Sequence, residues 1–113
     1  MEPHRLTATQ ALHKIRGNEL TVEDYAKSLL KRIERRDSIV KAWAYLDPVQ
    51  VLNEARRLDR IPVNRRGPLH GLPVGVKDVI YTKGMYIYPM VYWYRKIANK
   101  RDRHANAAQF TSL

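Results

Sequence analysis

Hydrophobic positions recur at the spacing of one helix face in three separate stretches of the chain. The first stretch runs from about Ala8 to Arg16 and follows Thr7, with Gln10 placed three residues after Thr7 as a capping box requires. Gly17 fits the position just past the last turn. The apolar positions that share one face are Ala8, Ala11, Leu12 and Ile15. The pattern predicts a capped helix over residues 8–16.

The second stretch has the clearest helix start. Thr21 is placed as the N-cap with Asp24 three residues later, and Leu20 and Tyr25 can pack across that cap as a hydrophobic staple. The apolar stripe is Val22, Ala26, Leu29, Leu30 and Ile33. The cations of the C-terminal half are Lys31, Arg32, Arg35 and Arg36. The helix dipole favours cations there, which explains this cluster without any nucleic acid.

The pattern then changes period. Residues 39–46 alternate apolar and other side chains and are rich in β-branched and aromatic residues, which predicts a strand. Asp47 and Pro48 are typical of the start of a third helix, which ends before Pro62. Its buried stripe is Val51, Leu52, Ala55 and Leu58. Prolines and glycines predict a long ordered loop or a series of turns over residues 61–73, followed by a short buried strand over residues 74–77.

Composition places the chain among soluble globular proteins. Its 113 residues allow one small domain at most, with 44% hydrophobic and 28% charged residues. The chain has no cysteine and no apolar run of membrane-spanning length. The start of the chain lacks the apolar stretch of a signal peptide, so a cytoplasmic location is expected. The net charge of +10 is spread along the chain, apart from a modest cluster in residues 86–113, and predicts mainly a solvated basic surface.

A lysine in a rigid setting is the main candidate for chemistry. In the segment 67–78, Gly-Pro-Leu-His-Gly-Leu-Pro-Val-Gly-Val-Lys-Asp, prolines and glycines fix the backbone around Lys77. Val79 and Ile80 continue its apolar surroundings, so we expect Lys77 to be desolvated. Burial disfavours the charged ammonium and allows a lysine to act as general base or acid. The alternative is a Lys-Asp pair at a strand end that is simply solvated.

The segment resembles the amidase signature family. Its Gly-Leu-Pro-x-Gly-x-Lys-Asp run is present at 71–78, and a Thr-Lys-Gly element follows at 82–84. With the preceding elements, the resemblance covers about residues 6–85. It implies amide C–N hydrolysis by a Ser-cisSer-Lys triad, with Lys77 as the catalytic lysine, a small-molecule amide substrate and no cofactor or metal. Asp78 also matches the motif, and we assign it a structural role at the strand end.

The resemblance also implies an α/β fold, a mixed sheet covered by helices on both faces. This chain would supply the N-terminal helices and the first strands of that fold, which leaves it incomplete. Unpaired strand edges and apolar helix faces would then lack a partner layer. We therefore expect a weakly stable chain, mostly helical over residues 7–60, with a loosely packed tail.

The sequence departs from the family pattern after Met85. The family's two serines lie in a glycine- and serine-rich region, whereas Ser112 is the one serine after Lys77 here and has no glycine neighbour. Four of the seven tyrosines and one of the two tryptophans fall within residues 86–94. We predict that residues 1–85 are the N-terminal part of an amidase domain and that residues 86–113 are not family sequence. A shifted reading frame, a retained intron or a faulty gene model would each produce this junction.

A second function class fits the same composition. The aromatic and basic residues of the tail, with the arginines of the second helix, describe a small basic module for nucleic acid or an anionic membrane surface. Neither nucleic-acid binding nor membrane binding has a sharp spacing signature in this sequence. Binding to either partner is therefore the less favoured prediction. The four histidines, His4, His13, His70 and His104, lack metal-ligand spacing, and His70 is predicted to be a turn residue. The favoured prediction is an amidase-family chain that is inactive by itself.

Overall fold

Three helices dominate the part of the molecule that the computed structural model describes, which is residues 1–77 and the backbone of residues 109–110. They are α1 (Ala8–Arg16), α2 (Val22–Val40) and α3 (Pro48–Asp59). Two single 3-10 turns, Pro3–Arg5 and Val63–Arg65, precede α1 and follow α3. The three helices predicted from the apolar spacing are confirmed.

Each helix begins at a side chain that accepts hydrogen bonds from its first turn. The Thr7 hydroxyl accepts from the Gln10 amide at 3.2 Å, and the Gln10 side chain accepts in return from the Thr7 amide at 2.9 Å. Thr21 accepts from the Asp24 amide at 3.0 Å. The Asp47 carboxylate accepts from two amides in the first turn of α3. These local contacts satisfy amides that have no partner within the helix, so the helix starts are fixed by nearby sequence.

The helix ends differ from the sequence pattern. Helix α2 continues through Val40 and stops at Lys41, which takes the left-handed conformation with φ 51°. The last turn of α2 therefore contains no basic residue. The prediction that the dipole holds the four cations is wrong, because that effect fades beyond the last turn. At the end of α1, Gly17 is the C-cap and the left-handed residue is Asn18, with φ 54°.

The predicted strand over residues 39–46 is also wrong for this chain. Ile39 and Val40 belong to α2, and residues 41–47 are irregular. A strand needs a hydrogen-bonded neighbour, and no other described segment pairs with this one. Local hydrogen bonds determine the outcome instead, since the Asp37 carbonyl and carboxylate accept from the amides of Lys41 and Ala42, both at 2.7 Å.

The core lies where the three helices meet. Helices α2 and α3 pack against each other, with Ala26 and Ala55 fully buried at their junction. Small side chains at such positions allow two helix backbones to approach closely. The buried hydrophobic side chains of the described residues are Ala11, Ile15, Val22, Tyr25, Ala26, Val51, Ala55 and Leu58. All of them except Tyr25 lie on the apolar faces that the spacing predicts, and Tyr25 was expected only in the hydrophobic staple at the start of α2.

Strand structure is confined to one short pair among the described residues. Strand β1 (Pro73–Val74) runs antiparallel to β2 (Gln109–Phe110), with Pro73 opposite Phe110 and Val74 opposite Gln109. Only the first residue of the strand predicted at 74–77 is in β1, and Val74 is 38% exposed rather than buried. The described part of the chain is thus mainly helical, and the mixed sheet of the expected α/β fold is not found within it.

Candidate active site

The loop that leads to Lys77 is anchored to the helices by hydrogen bonds. The Arg66 guanidinium donates to the carbonyls of Ile61, at 2.8 Å, and Asp59, at 3.3 Å, which closes the loop on the end of α3. From α1, the Arg16 guanidinium donates to the Pro68 carbonyl at 2.6 Å. The loop is therefore held in place although it lacks regular secondary structure.

His70 is the buried polar residue of this loop. Its side chain is 3% exposed, and Nε2 lies 3.1 Å from the Leu58 carbonyl oxygen. A carbonyl can only accept, so Nε2 carries the hydrogen and Nδ1 has a bare lone pair. Nδ1 is buried without a hydrogen-bond partner. The turn predicted at His70 is present, but its burial was not foreseen.

Gly71 lets the loop cross closely over the helices. Its φ is +81°, and a Cβ built there would lie 2.6 Å from Val22 Cγ2 and 3.3 Å from Ile15 Cδ1. Only glycine combines that backbone conformation with so close an approach. The loop is thereby pressed against two of the largest fully or nearly fully buried side chains of the core.

Asp59 joins α3 to the start of α2. Its two carboxylate oxygens accept from the backbone amides of Val22, at 2.8 Å, and Glu23, at 3.0 Å. Together with Thr21, this carboxylate satisfies the free amides at the N-terminus of α2, where the helix dipole also favours a negative charge. No local sequence signal marks Asp59 as a cap, because the amides it binds lie 36 and 37 residues away.

Lys77 lies three residues beyond β1. Its side chain is exposed, Val76 is half-buried, and Gly75 is exposed. The prediction that Lys77 is desolvated is therefore wrong for this chain in isolation. The residues that follow it in the motif, Asp78 to Ile80, lie outside the described residues, so the structural role assigned to Asp78 stays a prediction.

The serines that precede Lys77 occupy helical positions. The Ser28 hydroxyl accepts from the His4 amide at 3.0 Å and lies 3.2 Å from His4 Nδ1, while His4 Nε2 is 3.6 Å from a Glu2 carboxylate oxygen. This order resembles a serine–histidine–acid array. Ser28 is inside α2, however, where neighbouring amides are used by the helix and cannot form an oxyanion hole. The contact ties the first 3-10 turn to α2. Ser38 is exposed on α2, and Ser112 lies outside the described residues.

Comparison with known proteins agrees with the loop motif. The profile of the family described as Amidase matches residues 24–99, which is more than half of the chain. The chain belongs to the amidase signature family. Residues 24–99 include Lys77 and continue past residue 85, where the sequence pattern predicts that family sequence ends. That boundary stays a prediction.

Curated relatives carry two kinds of name. The A subunit of glutamyl-tRNA(Gln) amidotransferase from Lysinibacillus sphaericus is 34% identical over 79 residues, which is 70% of this chain and 16% of the relative. The protein of that same name from Geobacter sp. is 37% identical over 86 residues, 75% of this chain and 18% of the relative. The putative amidase AmiD of Mycobacterium bovis is 39% identical over 80 residues, 69% of this chain and 17% of the relative.

This amidase-family chain spans about a sixth of the length of the relatives it matches. No solved structure matches the chain significantly. The helices, the anchored loop and Lys77 therefore correspond to a short part of a longer family member.

Ion pairs on the surface of this amidase-family chain join α2 to α3. Glu23 accepts from Lys27 at 2.8 Å and from Arg56 at 3.0 Å, and these hydrogen bonds lower the pKa of the Glu23 carboxyl. Exposed pairs of this kind contribute little to stability. The four cations farther along α2, Lys31, Arg32, Arg35 and Arg36, form no ion pair with a residue in 1–77. Binding of nucleic acid or anionic membrane by these residues stays a prediction.

Within residues 1–77, no three histidine or carboxylate side chains are grouped so that they could hold a metal ion. Among the helices described, none has both the length and the apolarity needed to cross a bilayer.

Proposed function

We propose that this chain provides the lysine of a Ser-cisSer-Lys amide hydrolase, with Lys77 as the proton acceptor and donor. The observation that supports this role is the family match over residues 24–99 together with the Gly-Leu-Pro-Val-Gly-Val-Lys-Asp motif at 71–78. Lys77 exchanges a proton with the nucleophilic serine through the second serine, which activates a hydroxyl for attack on an amide carbonyl. Both serines would come from sequence outside this chain.

We also propose that the 113-residue chain has no amidase activity by itself. Ser112, the one serine after Lys77, has no glycine neighbour, so the chain lacks both a serine in the family's pattern and the glycine-rich oxyanion hole. The exposure of Lys77 is consistent with a site whose remaining walls are supplied from elsewhere. The substrate class is an amide, as the names of the relatives suggest for those proteins.

A graft tests the role of Lys77. Residues 1–85 would replace the aligned N-terminal segment of Mycobacterium bovis AmiD, and hydrolysis of a small aryl amide would be measured. We expect an active graft in which Lys77→Ala lowers kcat by at least about 100-fold, since a positioned acid–base group contributes about 10²- to 10⁴-fold. Lys31→Ala removes a lysine far along α2 and should leave kcat unchanged. Full activity of the Lys77→Ala graft would contradict the proposal.

A serine-directed fluorophosphonate probe tests the second part. The purified 113-residue chain should not become labelled under conditions that label the active graft. Covalent labelling of the isolated chain, mapped to any of its serines, would show a reactive nucleophile and refute the proposed lack of activity.

A further inference from the structure

A basic patch covers one side of the C-terminal half of α2. The side chains of this patch are all exposed, and they are Lys31, Arg32, Arg35, Arg36, Ile39 and Val40. At about 3.6 residues per turn, the four cations fall within roughly 140° of the helix circumference. The acidic residues of the same stretch, Glu34 and Asp37, lie outside that sector. The patch is therefore a continuous positive surface.

The four cations of the patch are not accounted for by the helix or by its neighbours. The last turn of α2 contains no basic residue, so the helix dipole does not explain them. None of them forms an ion pair with a residue in 1–77. Lys31 and Arg35 are like charges one turn apart, as are Arg32 and Arg36, and such pairs destabilise a helix. An anionic partner would offset this repulsion.

Two aliphatic side chains lie beside these cations. Ile39 is 74% exposed and Val40 is 57% exposed. Ile39 follows Arg35 by four residues and Arg36 by three, so these side chains are neighbours on the helix surface. The sequence pattern places Ile39 and Val40 at the start of a strand, whereas the structure continues α2 through Val40. The patch therefore combines positive charge with exposed apolar surface on one helix.

We propose that the basic patch of α2 binds the surface of an anionic lipid bilayer, with its cations at the headgroups and Ile39 inserted beneath them. Basic and aliphatic side chains on one helix are the combination by which amphipathic helices lie in a membrane interface. The charges are complementary, because anionic lipids attract each lysine or arginine near the surface. The proposal does not depend on a catalytic role for Lys77.

Nucleic acid fits the patch less well. Its phosphates would neutralise the cations, but Ile39 and Val40 would gain nothing from a phosphate backbone. Single-stranded nucleic acid is bound by stacking its bases on aromatic side chains, and the six residues of the patch include none. The exposed aliphatic residues therefore favour a lipid surface.

Co-sedimentation of the 113-residue chain with vesicles tests the proposal. Binding would be measured to phosphatidylcholine vesicles with and without phosphatidylserine, at low and at physiological salt. We expect binding only where phosphatidylserine is present, and weaker binding as salt screens the charges. Arg32→Gln combined with Arg35→Gln should lower the partition coefficient about 20-fold, since each cation near such a surface contributes about fivefold.

Matched variants separate the patch from the net charge of the chain. Arg60→Gln combined with Arg65→Gln removes two exposed cations outside the patch, and binding should fall by less than about twofold. Ile39→Gln keeps every charge and should lower binding at least about threefold, because less apolar surface leaves water. Val49→Gln, at a position 68% exposed on α3, should bind as wild type. Circular dichroism would check that each variant keeps the helix content of the wild type.

Four outcomes would overturn the proposal. Equal losses in the two double variants would show that binding follows net charge alone. Unchanged binding of the Arg32→Gln, Arg35→Gln variant would assign it to residues outside the patch. An Ile39→Gln variant that binds as wild type would refute the inserted geometry. A wild-type chain that binds a single-stranded oligonucleotide but no phosphatidylserine vesicle would assign the patch to nucleic acid.

Discussion

His70 is a histidine that the fold holds in its neutral form. Burial lowers the pKa of its imidazole, and the nearby Arg66 guanidinium lowers it further. The hydrogen bond to the Leu58 carbonyl and the Asp59 carboxylate oppose this lowering of the pKa, and the Arg57 guanidinium, which contributes least, acts in the same direction as Arg66. Protonation would place a second N–H at Nδ1, where no acceptor is available.

This lowered pKa predicts a pH dependence of stability. The unfolded chain regains the ordinary value of 6.5, so it binds more protons than the folded chain between that value and the lowered one. The contribution of His70 to the free energy of unfolding is therefore fully present above the ordinary pKa. It decreases as the pH drops through this window. His70→Gln keeps an N–H donor for the Leu58 carbonyl but cannot titrate.

Urea unfolding at about pH 7.5 and about pH 5.5 would measure this effect. The wild-type chain should lose more stability than His70→Gln between the two values. His13→Gln, at an exposed histidine, is the control and should behave as wild type. Equal losses in wild type and His70→Gln would contradict the prediction.

Gly71 predicts a second effect at a single residue. Gly71→Ala requires a left-handed alanine whose Cβ would lie 2.6 Å from Val22 Cγ2, so we expect a loss of roughly 3 kcal/mol. At Gly75 an added Cβ would meet Trp43 at 3.5 Å, an ordinary contact, and Gly75→Ala should change stability by less than about 0.5 kcal/mol. Urea unfolding of both variants gives the comparison, and similar losses would argue against a close approach at Gly71.

At single residues, the sequence predicts features that depend on neighbours in the chain but not features that depend on distant segments. The motif around Lys77 could be found in the sequence through its resemblance to the amidase signature family, because its residues form one continuous run in the chain. The exposure of Lys77 could not, since burial depends on segments that are distant in sequence. The anchoring roles of Arg16 and Arg66 were missed for the same reason, as both side chains bind backbone carbonyls that no local pattern singles out.

At the scale of elements, Asp59 couples two helices. Asp59→Ala leaves the amides of Val22 and Glu23 without their acceptor, and we expect a loss of about 2 kcal/mol, as for a hydrogen bond to a charged group. Thr21→Ala removes the local cap of the same helix and should cost about 1 kcal/mol. Amide exchange would distinguish them, because only Asp59→Ala should speed exchange at both Val22 and Glu23. Unchanged exchange at these amides in Asp59→Ala would contradict the coupling.

The helices themselves could be predicted to within a few residues. Their starts depend on Thr7, Thr21 and Asp47, whose capping contacts are all local. The strand over residues 39–46 could not be judged in the same way. Alternation indicates which residues suit a strand, but a strand forms only where a neighbour pairs with it. The helical hydrogen bonds of residues 37–41 extend α2 through Val40 instead.

At the scale of the whole molecule, a small core predicts weak cooperativity. A fully packed domain of this length would absorb about 80 kcal/mol on unfolding near about 60 °C. We expect scanning calorimetry of the 113-residue chain to give a broad transition with a clearly smaller enthalpy. The AmiD graft, in which these residues are part of a longer family chain, should show a sharper transition. A sharp transition of the isolated chain at the full enthalpy would contradict this prediction.

The hydrogen bonds from Val22 and Glu23 to Asp59 join α2 to α3 independently of the chain segment that connects the two helices. The two helices are joined by the carboxylate of Asp59, by the Glu23–Arg56 pair and by their buried faces, none of which passes through residues 41–47. Of that segment, Leu46 packs against the same core, but the hydrogen bonds and the ion pair that join the helices come from α2 and α3 themselves. We therefore expect a chain divided at residues 41–45 to give two complementary fragments whose association follows mass action.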